Sequence, residues 1–482
     1  MSFEGSPQII IDQRPLWIVF LDRMRRGIFL TFIFAIFFLF LSFDGPADLS
    51  VEGYKAICLF GLCVVLWATN LIPLSITSLL VIGAAPLLGI MDASTVYSFF
   101  GNKAVFFILG AFILSAAMIA CGLSARLTVW VLDKWGASSR KLTTSVYLFA
   151  AISSCFMSEH AVAAMLFPLV MEIVNILKLE QGKSQFAKSL FLALGWGCII
   201  GGAMTALGGA RVPLAVEILE QIAGREHTIG FLQYTALSFP LVLALLAGGW
   251  FTLMFLFKPE PIDTQPAREA LHLRSRELGK LSFHEKGVGL VMVLTIFAWF
   301  IYGDDWGIAN IAIVSIVALF SFSFINWKMV EEHVNWAIIL MYGGAIALGE
   351  IMASTGAAPW LAKMIFAGTV ESTAVFLIVL AILSTLFTTF MSNSAVIATL
   401  LPPAISMCDV YGISPALATM TIVIPSNFAF ILPIATPASA LAFSSRHISL
   451  REMIKSGLIL SIIGMAAFFV LLFVYWPMIG FN

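Results

Sequence analysis

Charge is scarce in this 482-residue sequence: Asp, Glu, Lys and Arg make up 11% of it, against about 25% in an ordinary soluble domain. That deficit excludes a disordered chain, a basic nucleic-acid binder and a typical cytosolic enzyme. Metal-ligand spacing is lacking too. The six cysteines form no CxxC pair, and Cys58, Cys63, Cys121, Cys155 and Cys198 lie in apolar runs, where a thiol serves as a small core residue. There is no nucleophile–base pair, no phosphate-binding loop and no hydrophilic stretch long enough for a catalytic domain, so no enzyme activity is expected. What the sequence has is apolar bulk: 60% hydrophobic residues, with 42 Phe and 12 Trp. A polytopic membrane protein follows.

A run of roughly 17–25 apolar residues crosses a bilayer as a helix, because no water satisfies exposed backbone there. Such runs fall at residues 28–43, 54–72, 74–90, 104–123, 189–216, 231–257, 287–302, 307–325, 336–357, 416–444 and 456–476. Two more, 142–177 and 374–408, are too long for one span and carry polar residues midway. The expected fold is all-α, with about eleven transmembrane helices plus two re-entrant hairpins.

Lys and Arg prefer the cytoplasmic side, which orients the chain. With the N-terminus inside and both long segments re-entrant, inside loops hold 21 basic residues and outside loops hold 4: Lys55, Lys103, Arg225 and Lys363. Arg211 alone is left at membrane depth. Arg14, Arg23, Arg25 and Arg26 precede the first span, and no small-residue cleavage site follows it, so no cleavable signal is expected. The C-terminus then lies outside, in what is expected to be a bacterial inner membrane. Residues 1–27 form a cytoplasmic N-terminus and 28–257 a first half. Residues 258–286, containing PAREALHLRSRELGKL, form a charged cytoplasmic linker, and 287–482 a second half.

The halves are related. FMSEHAVAAMLFP (Phe156–Pro168) and FMSNSAVIATLLP (Phe390–Pro402) share 8 of 13 residues at an offset of 234, and Gly110, Ala111 and Gly122 recur as Gly344, Ala345 and Gly356. An odd number of crossings separates the two, so the repeats are inverted. Inverted repeats with interrupted helices are the architecture of secondary transporters, whose sites lie near the midplane where the repeats meet.

At each hairpin tip a helix ends and another begins. Ser158 and Ser392 stand at N-cap positions, and the exposed N–H groups beyond them favour an anion. Carbonyl ends of the preceding half-helices favour a small cation such as Na⁺. Each half also carries a second interruption, IIGGAMTALGGARVP (Ile199–Pro213) and NFAFILPIATPASA (Asn427–Ala440). Gly runs and a Thr-Pro-Ala step inside apolar sequence break a helix and free backbone carbonyls.

These residues resemble the divalent anion:sodium symporter family, whose members carry dicarboxylates, citrate or sulfate. That family has two Ser-Asn-Thr hairpin motifs, each paired with a Thr-Pro-rich broken helix. The second half keeps Ser392 and Asn393, with Ser394 in place of Thr, and it keeps Ala435, Thr436 and Pro437. The layout matches over nearly the whole chain, including LWATNLIPLSITSLL (Leu66–Leu80). The resemblance implies an elevator-type homodimer in the bilayer. It also implies a substrate site at Ser158, Glu159, His160, Arg211, Ser392, Asn393, Ser394, Thr436 and Pro437, and a candidate single sodium site at Ser392, Asn393 and Ala435. No other cofactor is implied.

The first half departs from the pattern. Glu159 and His160 stand where Asn-Thr is usual, and Gly208-Gly209-Ala210-Arg211 replaces a Gly-Thr-Pro-Pro-Asn-like loop. An Arg at membrane depth costs at least about 2.5–3.5 kcal/mol on insertion and faces a site or a partner. Four readings stay open. Arg211 stands in for Na⁺ beside Glu159; or it grips a substrate carboxylate or sulfate; or Glu159 and His160 couple transport to protons; or Glu159–Arg211 is a structural ion pair. Glu350 falls within a span and needs a partner. His227, His272, His284, His333 and His447 fall in loops, where they are expected to be solvated, and Trp17, Trp135, Trp306, Trp327, Trp336 and Trp476 near interfaces. The leading expectation is a secondary transporter of small anions, by symport or antiport, most readily di- or tricarboxylates. The alternatives are a sulfate carrier, or a cation/proton antiporter or channel on the same scaffold.

Overall fold

The computed structural model describes residues 16–366 and 372–481, and every regular element among them is a helix. Arg14 lies outside the described residues, as do the side chains of Trp17, Arg23 and Arg25. The principal helices of the first half are α1 (Leu16–Leu41), α2 (Val51–Thr69), α3 (Leu74–Leu87), α4 (Lys103–Ala120), α5 (Leu123–Trp135), α6 (Ser139–Ser154), α7 (Glu159–Ile176), α8 (Gln185–Gly201), α9 (Arg211–Ala223) and α10 (Phe231–Leu256). The linker forms α11 (Gln265–Glu277). The second half holds α12 (Phe283–Tyr302), α13 (Ile308–Ser321), α14 (Trp336–Ser354), α15 (Ala357–Phe366), α16 (Thr373–Phe390), α17 (Asn393–Ile405), α18 (Pro415–Val423), α19 (Pro437–Ser444) and α20 (Leu450–Val470).

The repeat is visible in the helix starts. Leu74 and Ile308, Leu123 and Ala357, Ser139 and Thr373, and Glu159 and Asn393 each differ by 234 residues. The packing repeats as well: α3 lies against α14 and its equivalent α13 lies against α4. Both contacts depend on one glycine pair. A Cβ at Gly110 would stand 2.5 Å from the Ala312 Cβ, and one at Gly344 would stand 2.5 Å from the Ser78 Cβ. Gly110 and Gly344, like Ser78 and Ala312, are 234 apart, so the two close approaches are one approach made twice.

Eight helices among the described residues are long and apolar enough to cross a membrane. Large apolar side chains cover their outer faces, as on α10 (Leu243, Phe251, Phe255) and α12 (Leu290, Val293, Phe297). These are the surfaces a bilayer would solvate. In contrast, α8 is mostly apolar and buried from Phe186 to Gly201, Lys188 included, as a central helix must be. Glycines let α6 lie directly on it: a Cβ at Gly197 would stand 2.5 Å from the Tyr147 carbonyl oxygen, and one at Gly201 would collide with the Ala151 carbonyl. The first glycine run thus serves close packing as well as the helix break.

Three expectations are corrected here. His447 is buried, its ring stacked on Phe191 at 5.3 Å, because the turn before α20 folds inward onto α8. Trp476 is fully buried and donates Nε1–H to the Leu237 carbonyl at 3.4 Å, inside the bundle rather than at an interface. Lys188, one of the 21 basic residues assigned to inside loops, sits instead within α8, buried and paired with Glu452 at 2.6 Å.

Candidate functional site

Four helices begin at one cavity. Glu159 opens α7, Arg211 opens α9, Asn393 opens α17 and Pro437 opens α19, and all four residues line a space of about 370 Å³. The first turn of a helix leaves N–H groups without intrahelical acceptors and carries the positive end of its dipole. Convergence of several such ends favours an anion.

The second-half rim is built from caps. Ser392 Oγ accepts from the Ala395 N–H at 3.3 Å, and Thr436 Oγ1 accepts from the Ser439 N–H at 3.2 Å. Asn393 Oδ1 lies 2.8 Å from the Thr388 hydroxyl, which also lies 2.7 Å from the Ser426 carbonyl. This ties the hairpin tip to the second broken helix. Ser394 and Ala435 line the cavity beside them. The hydroxyl, amide and unwound-backbone oxygens here are the hard donors a small cation takes. Among the described residues no cluster of three His, Cys, Asp or Glu offers a transition-metal site.

The first-half rim is charged. Arg211 Nη1 stands 3.5 Å from Glu159 Oε2, with both side chains 2% exposed. Arg211 Nε and Nη2 have no hydrogen-bond partner, nor has Glu159 Oε2. His160 Nδ1 is 3.8 Å from Glu159 Oε1, and its ring is partly open to the cavity. The tip is held by the backbone: the Glu159 N–H donates to the Gly208 carbonyl at 3.0 Å, and Thr205 Oγ1 donates to the Cys155 carbonyl at 2.6 Å.

The cavity gathers Glu159, His160, Arg211, Ser392, Asn393, Ser394, Ala435, Thr436 and Pro437, residues from segments far apart in sequence. Ser158 is the exception. It stands at the N-cap position but accepts no capping bond and does not line the cavity, and a carboxylate, Glu159, occupies the first turn instead. Glu350 also lies away from the lining. The sequence reading missed Asn70, Ser75 and Asn335, which complete the wall from the starts of α3 and α14. Asn70 carried a usable signal: it interrupts an apolar run, and its φ of 49° is the left-handed conformation that Asn tolerates.

Comparison with known proteins agrees with this construction. The family model for the sodium:sulfate symporter transmembrane region matches residues 23–481. The sodium-dependent dicarboxylate transporter SdcS of Staphylococcus aureus strain bovine RF122 / ET3-1 is 28% identical over 469 residues, covering 92% of this chain and 89% of the relative. SdcS of strain NCTC 8325 / PS 47 matches with the same identity and coverage. Among solved structures, the YdaH transporter of Alcanivorax borkumensis superposes with a TM-score of 0.55 at 17% identity, over 80% of this chain and 88% of that one. MtrF of Neisseria gonorrhoeae gives 0.55 at 15%, over 79% and 82%. These two likenesses show the all-helical fold. The protein is an integral membrane transporter of small anions, not an enzyme, and the chain belongs to the family of the sodium:sulfate symporter transmembrane region.

Proposed function

We propose that this protein is a secondary active transporter of small di- or tricarboxylates, with sodium coupling lost in its first half. The observation that carries the reading is Arg211. Its guanidinium is buried at the cavity with Nε and Nη2 unpaired, a fork that suits a carboxylate. Position 159 is equivalent to position 393 in the repeat. Where the second half offers Asn393 and open oxygens, the first holds Glu159 with a tethered cation 3.5 Å away, doing there what a bound Na⁺ would do. Sodium is then needed only at Ser392, Asn393 and Ala435.

Alternating access would exchange the roles of the repeats. The cavity is walled by the starts of α3 and α14, while the starts of their equivalents, α13 and α4, are not in its lining. The start of α4 is engaged instead: Asn102 Nδ2 donates to Glu217 Oε1 at 2.6 Å, and Lys103 pairs with Glu220. With the N-terminus cytoplasmic, this is an inward-facing arrangement. An elevator movement of the hairpins (α6–α7, α16–α17) and broken helices (α8–α9, α18–α19) would break the Asn102 and Lys103 contacts and open the other side. The working unit would be a homodimer in a bacterial inner membrane, with the C-terminus outside.

Calorimetric titration of the purified protein with succinate, citrate and sulfate tests the substrate reading. Saturable binding of a carboxylate, lost in Arg211→Gln, is expected. Binding of sulfate alone would assign the cavity to an inorganic dianion, the second reading that the family's description favours. Binding of none of the three would refute an anion site.

A further inference from the structure

A second cavity, of about 470 Å³, lies between the end of α5, the start of α6 and α10, lined by Lys134, Trp135, Arg140, Lys141, Leu148 and Trp250 among others. It opens on the face that carries the linker, since α11 is fastened to α5 and the residue after it. His272 Nδ1 is 3.0 Å from Asp133 Oδ2, and Thr264 Oγ1 donates to the Gly136 carbonyl at 3.0 Å. Trp135 and Leu148 are both exposed, so the cavity has one apolar wall turned toward the surroundings of the helix bundle. Its volume is within the usual range of ligand pockets, roughly 300–1,000 Å³.

Three cations converge there without a carboxylate. Among the described residues Lys134, Arg140 and Lys141 make no ion pair, and Asp133, next to Lys134 in the chain, is engaged with His272. Arg140 and Lys141 occupy the first turn of α6, directly after the Ser138 cap, whose Oγ accepts from the Lys141 N–H at 3.3 Å. Cations are disfavoured at that end of a helix, where the dipole is already positive. Lys134 Nζ is held 5.0 Å from the Trp130 ring centroid and 5.9 Å from that of Trp135, a cation–π placement. The preference of basic residues for the cytoplasmic side accounts for their side of the membrane. It does not account for three of them meeting at one walled cavity with an aromatic flank.

We infer that this cavity binds the headgroup of an anionic phospholipid. The lipid phosphate would sit against Arg140, Lys141 and the first-turn N–H groups of α6, and the acyl chains would run over Trp135 and Leu148. Basic pockets between membrane helices on this side take such headgroups. The lipid would bridge the short helix α5 and the first hairpin, the two elements that meet at Gly136.

Native mass spectrometry of the full-length protein, with phosphatidylglycerol or phosphatidylcholine titrated into detergent, tests this. One tightly retained phosphatidylglycerol and no retained phosphatidylcholine is expected. A K134Q/R140Q/K141Q variant should lose it, by about fivefold in affinity per charge removed and so about a hundredfold together. A K134R/R140K/K141R variant, which keeps charge and volume, should retain it. A control variant, K286Q/R451Q/K455Q, removes three other exposed basic residues of the same face and should also retain it. Equal retention by the first variant and the wild type would overturn the inference. So would equal loss in the control, which would mean diffuse attraction to a basic surface, and so would equal retention of the two lipids by the wild type.

Discussion

Replacing Glu159 with Gln keeps the shape of the first hairpin tip and removes one charge. Arg211 then loses the acidic partner it has among the described residues, Glu159, and both side chains are 2% exposed. At 3.5 Å and an effective dielectric of about 20, the lost attraction is roughly 4–5 kcal/mol. That agrees with the about 3–5 kcal/mol typical of breaking a buried pair from one side. Glu159→Gln should therefore melt several degrees below the wild type in detergent. A dicarboxylate in the cavity replaces the missing negative charge, so the rise in melting temperature on adding succinate should be larger in Glu159→Gln than in the wild type. In Arg211→Gln it should vanish. A Glu159→Gln protein that melts with the wild type and gains no more from succinate would refute the argument that Arg211 is poised for an external anion.

Other perturbations follow from the packing and the caps. Gly201→Ala places a Cβ against the Ala151 carbonyl and should cost about 1–3 kcal/mol or more, read as a lower melting temperature. Gly61→Ala, helical with open space around it, should be neutral or gain up to about 1 kcal/mol. Ser392→Ala removes the cap of α17, should cost about 0.5–2 kcal/mol, and should raise the KM for substrate, measured by uptake. The fourth concerns pH. Arg126, bonded to Glu285 through Nε at 2.6 Å and Nη2 at 3.1 Å, holds that carboxyl below the usual carboxylate range, aided by Ser282 and opposed by burial. A depressed carboxylate contributes stability that is present above its unfolded pKa, about 4.3, and lost as pH falls through its folded value. The melting gap between the wild type and Glu285→Gln should thus be constant from pH 5 to 8 and close on acidification below pH 4.

Much of this was legible before any coordinates, because membrane helices announce themselves by length and hydropathy. The offset of 234 residues read from thirteen residues at the hairpin tips also sets the starts of α3 and α13, and of α5 and α15. Arg211 stood out because no loop could hold it. Tertiary pairings stayed hidden. Hydropathy places Trp476 and His447 near span ends, but only the folded chain brings one onto Leu237 and the other onto Phe191. Asn102–Glu217 and Lys103–Glu220 join helices that no periodicity pairs. Ser158 misled in the opposite sense: a cap residue in the right place left its hydroxyl out of the cap, and the backbone N–H of Glu159 turned to Gly208.

The central claim is that Arg211 replaces one sodium ion. Uptake of labelled succinate into proteoliposomes, measured at fixed pH as external Na⁺ is varied against choline, tests it most directly. The account predicts a hyperbolic Na⁺ dependence with a Hill coefficient of about 1, or uptake that survives in choline. Arg211→Ala should be impaired, and high Na⁺ should partly restore it. A sigmoidal dependence in the wild type, with a Hill coefficient of about 2 or more, would show sodium still bound in both halves and contradict the account.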